Sequence, residues 1–339
     1  MALALSEKGT MRSMVFDGPG RRLVLRELPV PVARPGEVLL AVRACGVCRT
    51  DLHLVDGELP DPAAAVIPGH EIVGEVIALG PGVSSPVVGT RVGVPWLGAT
   101  CGHCRYCVSG HENLCADAQF TGYQRNGGYA EFVAADARFV FPLPASYDDV
   151  HVAPLLCAGL IGYRAYAFAA DAQTIGIYGF GAAAHLIAQV ALAANHTVYA
   201  FTRPGDSNGQ AFARELGVQW AGGSDELPPQ PLDAAILFAP VGALVPAALA
   251  ATARGGSVIC AGIHMSDIPA FAYRLLWGER QVRSVANLTR HDGEAFLAIA
   301  AATPLRVHAR RYALEQANVA LDDLRAGAVD GAAVLTMER

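Results

Sequence analysis

The sequence has little charge, and its basic residues form no cluster. Charged residues make up 17% of the 339 residues, and the formal net charge is -6. Proteins that bind nucleic acid or anionic membrane surfaces do so through clustered lysine and arginine, because contacts with phosphate provide much of the affinity. The composition therefore predicts no nucleic-acid partner and no membrane partner.

Long apolar runs are also missing. The alanine-rich stretch 247–251 is apolar, but it is far shorter than the ~20 residues that span a bilayer. Residues 1–10 contain one lysine and no apolar core followed by small residues, so we expect no secretory leader and a cytoplasmic location. We expect these residues to form a loose extension, and Met11 is an alternative translation start.

Apolar residues are nevertheless abundant across the chain as a whole. They make up 53% of the sequence, which is enough to bury a core that offsets the entropy of ordering the chain. A length of 339 residues exceeds one ordinary domain and predicts about two.

The pattern of the chain changes near residue 150. Before it, short β-type runs such as 37–43 are separated by loops rich in glycine and proline, which predicts a mostly β domain over residues 1–152. Residues 149–168 indicate one helix, after which strands alternate with helices. This alternation predicts a doubly wound parallel sheet over residues 153–288, and residues 289–339 are expected to return to the first domain. The predicted fold class is α/β.

Four cysteines lie within fifteen residues, at Cys101, Cys104, Cys107 and Cys115. Four thiolates at such short spacings can close on one tetrahedral Zn2+. Two disulfides in so short a segment would need strained geometry. The spacing therefore predicts a structural zinc site, which fixes a loop and takes no part in chemistry. Reduced, unliganded cysteines are the alternative.

Further potential zinc ligands stand beside predicted strand ends. Cys48 follows one strand, and His70 and Glu71 precede another. Taken separately, Cys45-x-x-Cys48 could be a redox pair, and His70 could be a hydrogen-bonded structural histidine. Glu71 could be a labile ligand or a group that orients a ligand. Their combination with the four-cysteine segment favours a second, open metal site.

A dinucleotide-binding fingerprint follows the predicted strand Thr174–Tyr178. It has the form G-x-G-x-x-A, with Gly179, Gly181 and Ala184, and it opens a predicted helix. The glycines allow a tight turn and close approach of a pyrophosphate, and the helix N-terminus directs N–H groups at the phosphates. The motif is weak alone and strong in this strand-turn-helix context.

Together these residues resemble the zinc-dependent medium-chain alcohol dehydrogenase family, of the bacterial type, over essentially the whole chain. The resemblance rests on five motifs in the family's order and spacing: Cys48-Arg-Thr-Asp-Leu-His53, Gly69-His-Glu71, the cysteine segment ending in Glu112-Asn-Leu-Cys115, Cys157, and the Gly179 fingerprint. It implies a GroES-like catalytic β domain and a Rossmann nucleotide-binding domain.

The resemblance also implies roles for the residues near the predicted open metal site. Cys48, His70 and Cys157 would hold a catalytic zinc, although Cys157 taken alone is interpreted as a small buried core residue. Glu71 would exchange with water or substrate for the fourth position, which gives two zinc ions per chain. Asp51 would accept a hydrogen bond from His70 and fix its tautomer.

The implied reaction is hydride transfer between a small-molecule alcohol or aldehyde and a nicotinamide cofactor. Zinc would bind the alcohol oxygen and lower its pKa. Thr50 would take the alcohol proton, and His53 would pass it through the cofactor ribose to solvent. Arg49 would contact the cofactor pyrophosphate, and its alternative is a solvated loop arginine.

The end of the second nucleotide strand departs from the pattern of relatives that use NAD. Those relatives carry an acidic residue where this chain has Thr202, followed by Arg203. Without a carboxylate a 2′-phosphate is not repelled, and a guanidinium can pair with it, so the sequence predicts NADP(H) over NAD(H), with NAD(H) as the alternative. Gly262 is assigned to the same cofactor site, whereas Ala332 stands where many relatives carry a phosphate-binding arginine.

Trp96 and Leu97 stand where the family lines its substrate pocket. A bulky apolar wall would favour short or medium aliphatic and aromatic alcohols over polyols, and the alternative is that Trp96 is ordinary core. Relatives are usually dimers or tetramers, and we expect a homodimer or homotetramer here.

Three other functions compete with this interpretation. Many polyol or sugar dehydrogenases lack the complete cysteine segment, and a zinc-free quinone reductase would not need Cys48, His70 and Cys157. A non-catalytic zinc-stabilised scaffold or nucleotide sensor is disfavoured because it needs neither Thr50 nor His53.

Overall fold

Two compact units make up the structure, a computed structural model that describes residues 9–329 and 331–337. One unit comprises the chain up to Cys157 and again from Leu288, and the other comprises Ala158–Asn287. The first boundary follows Cys157 rather than Val152. Of the extension expected over residues 1–10, residues 1–8 lie outside the described part of the chain.

The unit that contains Cys157 is mostly β. Its first strands are β1 (Thr10–Val15), β2 (Val24–Pro29), β3 (Glu37–Val47), β4 (Glu71–Leu79), β5 (Arg91–Val94), β6 (Leu97–Ala99), β7 (Gln119–Phe120), β8 (Phe132–Asp136) and β9 (Phe141–Pro142). Three short helices accompany them, α1 (Arg49–Asp56), α2 (Arg105–Val108) and α3 (Asp149–Val152).

The second unit alternates helices and strands. In chain order its elements are α4 (Ala158–Ala167), β10 (Thr174–Tyr178), α5 (Ala182–Ala193), β11 (Thr197–Thr202), α6 (Ser207–Glu215), β12 (Trp220–Gly223), β13 (Leu232–Leu237), α7 (Leu244–Ala251), β14 (Thr252–Cys260) and β15 (Gln281–Ser284). All neighbouring strands are parallel, in the order β12-β11-β10-β13-β14-β15. The strand order reverses beside β10, so the carboxyl end of β10 is the switch point where such sheets bind ligands.

The chain then returns to the first unit. Its last elements are α8 (Arg290–Ala302), β16 (Ala309–Ala313), α9 (Ala317–Ala326) and β17 (Ala332–Thr336). The main sheet of this unit has the order β16-β17-β3-β4-β5-β9, and β8 also pairs with β3. Strand β3 lies at its centre and is nearly all buried, since it pairs with three strands. Its apolar side chains form one core with those of β4, including Val38, Leu40, Ile72 and Val76.

The single helix predicted over residues 149–168 is wrong. Helix α3 ends at Val152, a 3-10 turn covers Ala153–Leu156, and α4 begins at Ala158. Pro154 lacks the N–H that a continuous helix would need. Cys157 has φ -125° and ψ -72°, outside helical geometry, so its side chain projects from a break rather than from a helix face.

The described residues contain no helix that is long and apolar enough to cross a membrane.

Candidate active site

Cys48 is held at the start of helix α1. Strand β3 ends at Val47, and Cys48 is the N-cap residue of the helix. Its Sγ accepts a hydrogen bond from the backbone N–H of Thr50 (3.3 Å), and the Asp51 carboxylate accepts one from the backbone N–H of Cys48 (2.9 Å). This reciprocal capping satisfies N–H groups at the helix start and fixes the direction of the thiol.

A glycine turn holds the backbone before His70. Gly69 has a φ of 95°, in the left-handed region that favours glycine, and a Cβ there would lie 2.3 Å from Cδ1 of Tyr129. The backbone N–H of Tyr129 donates to the carbonyl of Pro68 (3.0 Å), and that of Gly128 donates to the carbonyl of Gly69 (2.9 Å). Packing and hydrogen bonding together therefore fix the segment that carries His70.

Four potential metal ligands converge in this unit. The ligand atoms of Cys48, His70, Glu71 and Cys157 lie within 4.8 Å of one another. Sγ of Cys48 is 3.1 Å from Nε2 of His70 and 4.0 Å from Sγ of Cys157. Glu71 is the first residue of β4, and its carboxylate lies against Gly46, where a Cβ would be 1.7 Å from Oε2. Glycine at position 46 thus leaves the space that this carboxylate occupies.

The half-buried thiols and the buried imidazole and carboxylates shift one another's pKa values. The hydrogen bond from Cys157, together with the charge of His70, holds the pKa of the Cys48 thiol well below its usual value. The same contact and burial raise the pKa of Cys157 well above its usual value. Burial and the charge of Cys48 likewise raise the pKa of Glu71. Burial alone would lower the pKa of His70, but the charges of Cys48 and Asp51 raise it well above its usual value.

This set of donors fits a zinc ion. Two thiolates and an imidazole are preferred ligands of Zn2+, and three protein ligands with one exchangeable position are typical of catalytic zinc sites. A buried region with several anionic groups is costly without a compensating cation. The side chains present therefore suit Zn2+ bound by Cys48, His70 and Cys157, with Glu71 as the exchangeable ligand.

Asp51 lies behind His70, and both side chains are buried. Oδ1 of Asp51 is 3.5 Å from Nδ1 of His70, which is longer than a good hydrogen bond. The other oxygen, Oδ2, is held by the backbone N–H of Cys48. The contact with His70 is therefore electrostatic, and the hydrogen bond implied by the family resemblance is not made in this structure.

The other candidate catalytic residues lie on α1 beside Cys48. Thr50 and His53 are three residues apart, and residues at this spacing share one face of a helix. Arg49 is the first residue of the helix and is exposed. One short helix thus carries the potential metal ligand and both residues of the predicted proton relay.

Trp96 and Leu97, which were predicted to line a substrate pocket, have different surroundings. The indole of Trp96 is half-buried and packs edge-on against the His70 ring at a centroid distance of 4.9 Å. Its faces stack with Phe120 and Tyr123. Leu97 begins β6 and is fully buried. Trp96 therefore stands beside the metal-ligand cluster, whereas Leu97 presents no accessible surface.

The four cysteines of the second cluster surround a single helical turn. The Sγ atoms of Cys101, Cys104, Cys107 and Cys115 lie within 4.8 Å of one another. Backbone N–H groups of His103 and Cys104 lower the pKa of Cys101 to about 6, so its thiolate forms readily. Four thiolates complete a tetrahedral shell, and the cluster suits a structural zinc ion with no open position.

Charged groups anchor this segment to the rest of its unit. The buried carboxylate of Glu112 accepts hydrogen bonds from the backbone N–H (2.8 Å) and Nε (3.1 Å) of Arg290, at the start of α8. Arg138 donates to the carbonyl of Thr100 (3.1 Å), just before the first cysteine. The segment is thereby tied to α8, which is distant from it in sequence.

Apart from Arg49, which lies on α1, the residues assigned to the cofactor lie at or just after the carboxyl ends of parallel strands. Gly179 follows β10 with a φ of 86°, and a Cβ there would lie 2.7 Å from the backbone N of Ala239. Gly181 is the N-cap residue of α5, and no side chain caps this helix start. A Cβ on Gly181 would meet no atom within 4 Å, so the helix N-terminus is open to a phosphate. Ala184 is fully buried in α5.

The other predicted cofactor residues lie on neighbouring strand ends. Thr202 ends β11, is buried, and donates from Oγ1 to the carbonyl of Gly222 (3.4 Å). Arg203 follows it and is exposed. Gly262 follows β14, and its N–H donates to the carbonyl of Leu237 (3.0 Å). The sheet therefore brings these residues to the edge where the Gly179 turn lies.

Tyr129 is a residue near the site that the sequence reasoning missed. It is fully buried, and its ring packs on Gly69, next to a metal-ligand candidate. The available signal was the pair Gly127-Gly128 before an aromatic residue, since paired glycines indicate close approach of another backbone.

Comparison with known proteins agrees with this architecture. Residues 34–145 match the family described as "Alcohol dehydrogenase GroES-like domain". The protein described as "Probable alcohol dehydrogenase AdhA" from Mycobacterium tuberculosis (strain CDC 1551 / Oshkosh) is 48% identical over 326 residues, which are 94% of this chain and 93% of that one.

Two solved structures share the whole fold. The cobalt- and zinc-bound thermostable alcohol dehydrogenase from Pyrobaculum aerophilum has a TM-score of 0.86 at 26% identity, covering 96% of this chain and 99% of that one. Acetophenone reductase from Geotrichum candidum NBRC 4597, in complex with NAD, has a TM-score of 0.85 at 26% identity, covering 97% of both chains.

A GroES-like β unit joined to a parallel dinucleotide-binding sheet defines a medium-chain dehydrogenase. The chain belongs to the zinc-type medium-chain alcohol dehydrogenase family. The family and the fold class expected from the sequence are thus confirmed, and the relatives support an alcohol oxidoreductase.

Proposed function

We propose that this protein is a zinc-dependent oxidoreductase that transfers hydride between a nicotinamide cofactor and a primary or secondary alcohol or its carbonyl counterpart. The observation that carries the proposal is the convergence of Cys48, His70, Glu71 and Cys157 within 4.8 Å. A zinc ion held there would supply Lewis-acid polarisation of the substrate oxygen, and the nicotinamide would accept or donate the hydride.

The chain's own residues would do the remaining work. Cys48, His70 and Cys157 would bind the metal, and Glu71 would give up its position when substrate binds. Thr50 would receive the proton of the alcohol, and His53 would deliver it to solvent. These two side chains keep a fixed spacing to Cys48 because all three belong to the same capped helix.

The substrates we propose are short or medium aliphatic and aromatic alcohols and aldehydes. The indole of Trp96 beside His70 provides an apolar wall, and a polyol would leave its extra hydroxyl groups without polar partners there. A homodimer or homotetramer and a cytoplasmic location remain predictions from the sequence.

Metal content and turnover measured together test the proposal. We expect about two zinc ions per chain and oxidation of NADPH or NADH on a panel of aldehydes. About one zinc ion and no turnover with either cofactor would leave the non-catalytic scaffold as the function. Turnover of sugars or polyols in preference to simple alcohols would instead favour a polyol dehydrogenase.

We propose NADP(H) as the preferred cofactor because no carboxylate ends β11. Thr202 occupies the position, and the carboxylate of Glu226 in a nearby loop is engaged by the backbone N–H of Gly223 (2.6 Å). Arg203 is exposed beside this strand end, where its guanidinium can pair with a 2′-phosphate.

The Arg203→Ala variant tests this preference. We expect its catalytic efficiency with NADP+ to fall about 10- to 100-fold, because a hydrogen bond to a charged group contributes about 1.5–3 kcal/mol. Efficiency with NAD+ should change little, since NAD+ has no 2′-phosphate. Steady-state kinetics with both cofactors at saturating alcohol measure the effect, and equal or better efficiency of the unaltered protein with NAD+ would contradict the preference.

A further inference from the structure

Helix α1 ends in a turn that places an acidic side chain beside His53. Gly57 follows the helix with a φ of 80°, and its N–H donates to the carbonyl of Leu54 (3.2 Å). The N–H of Glu58 donates to the carbonyl of His53 (2.9 Å). These two bonds form a Schellman motif, in which the residue after the glycine folds back on the last helical turn.

Glycine is required in this turn for two reasons. The left-handed φ is unfavourable for other residues, and a Cβ on Gly57 would lie 2.6 Å from Cβ of Pro19. The backbone position of Glu58 relative to His53 is therefore fixed by the fold and does not depend on the flexibility of a loop.

The carboxylate of Glu58 contacts the imidazole of His53 through Oε2 and Nδ1. An ionised carboxylate only accepts hydrogen bonds, so Nδ1 of His53 carries the proton in this contact. In a neutral imidazole the other nitrogen, Nε2, is then the acceptor. The side chain of His53 is 21% exposed and that of Glu58 is 55% exposed, so the pair lies between the protein interior and solvent.

We propose that Glu58 is a positioning residue for proton transfer, which holds His53 in the tautomer whose Nε2 accepts the proton released by the alcohol. The inference rests on the proposed function and extends it. The O–H bond of the alcohol breaks, and its proton passes by way of Thr50 to Nε2 of His53, while Nδ1–H of His53 stays hydrogen-bonded to Glu58. Nε2 then releases the proton to water, and a bound nicotinamide would accept the hydride.

The test uses the zinc-loaded protein and compares Glu58→Ala with Glu58→Gln. Glu58→Ala removes the acceptor for Nδ1–H, and we expect kcat for alcohol oxidation to fall about 10-fold, a modest part of the gain typical of acid–base catalysis. The solvent deuterium isotope effect on kcat should rise, because proton transfer becomes slower than hydride transfer. The amide oxygen of Glu58→Gln accepts the same hydrogen bond, so this variant should recover most of the activity.

A matched control is available at the same helix end. Asp56 is also an exposed carboxylate on α1, but it pairs with Arg325 (2.7 Å) and not with His53. Asp56→Asn should leave kcat and the solvent isotope effect unchanged. A general effect of lost surface charge would instead appear in both variants.

A double-mutant cycle with His53→Gln distinguishes the inference from the proposed function. If Glu58 acts through His53, Glu58→Ala should have no further effect on kcat in the His53→Gln background. If His53→Gln lowers kcat and Glu58→Ala does not, the role of Glu58 is overturned while the relay stands. If neither change lowers kcat, both the role of Glu58 and the proton relay through His53 are refuted. If the unaltered protein oxidises no alcohol, the proposed function itself fails.

Discussion

Replacement of Cys48 by serine is expected to abolish most turnover while the protein stays folded. Changes in the groups that merely orient zinc ligands cost 10- to 100-fold, so loss of a direct ligand should reduce kcat by at least about 100-fold. Cys48 also caps α1 through its Sγ. Serine is a favoured N-cap residue, so its hydroxyl can keep that hydrogen bond and the fold.

Zinc content, kcat and thermal unfolding together measure the effect of Cys48→Ser. We expect loss of about one zinc ion per chain while the protein remains folded, and the melting temperature should fall less than in Cys104→Ser, because the Cys48 cluster lies within a large core and the four-cysteine segment does not. Cys260→Ser is the matched control, because Cys260 belongs to neither cysteine cluster among the residues that the structure describes. Unaltered turnover in Cys48→Ser would show that this cluster is not the catalytic site.

Replacement of Cys104 by serine is expected to lower the stability of the protein, whereas the molecules that remain folded should keep their turnover. The segment around Cys104 contains the one-turn helix α2, none of whose residues is buried, and a 3-10 turn over Glu112–Leu114 whose buried residues are polar, so it has almost no apolar core of its own. Without its metal the segment depends on the contacts that Glu112 and Arg138 make. We expect the free energy of unfolding to fall by about 4–5 kcal/mol, because loss of a metal site is one of the few single changes with effects of that size.

Urea denaturation and zinc analysis test this expectation for Cys104→Ser. The folded fraction should keep one zinc ion and measurable turnover, because the Cys48 cluster is untouched. His103→Ala is the control within the same segment, since it removes a neighbouring side chain and leaves all four thiols. An unfolding free energy equal to that of the unaltered protein would refute a structural role for the four-cysteine cluster.

A site can be predicted from the sequence when its residues lie close together along the chain. The four cysteines lie within fifteen residues, so their spacing alone indicates one metal. The Gly179 turn could be predicted for the same reason, because a strand, a glycine turn and a helix follow one another directly in the sequence.

The role of Cys157 as a metal-ligand candidate could not be predicted from local spacing. It lies 109 residues from Cys48 in sequence, and its apolar surroundings are those of a core cysteine. Only the family resemblance identified it, and the continuous helix predicted over residues 149–168 did not anticipate the break from which its side chain projects. Helix propensity describes neighbours in sequence, whereas the break depends on Pro154 and on packing against distant strands.

The short, glycine-rich strand β12 was not predicted from the sequence. Strand β12 consists of Trp220-Ala-Gly-Gly, and glycine has low strand propensity, so nothing in this segment indicated a strand. It exists because β11 offers an open edge with which it pairs. The family resemblance assigned Leu97 to a substrate pocket, and in the structure its side chain is fully buried at the start of β6.

The two candidate metal sites differ in when they can form on a growing chain. The four-cysteine segment needs only a short loop to close, which costs little entropy and can happen soon after residue 115 is made. The Cys48 cluster cannot form until residue 157 has been made. The strand next to it is made later still, because β17 pairs with β3 and places Ala333 opposite Val47, the residue before Cys48. The last strand of the chain therefore borders the residues that would hold the reactive metal. Synthesis must be nearly complete before that site has its final shape, whereas the four-cysteine segment could bind its metal while the chain is still emerging from the ribosome.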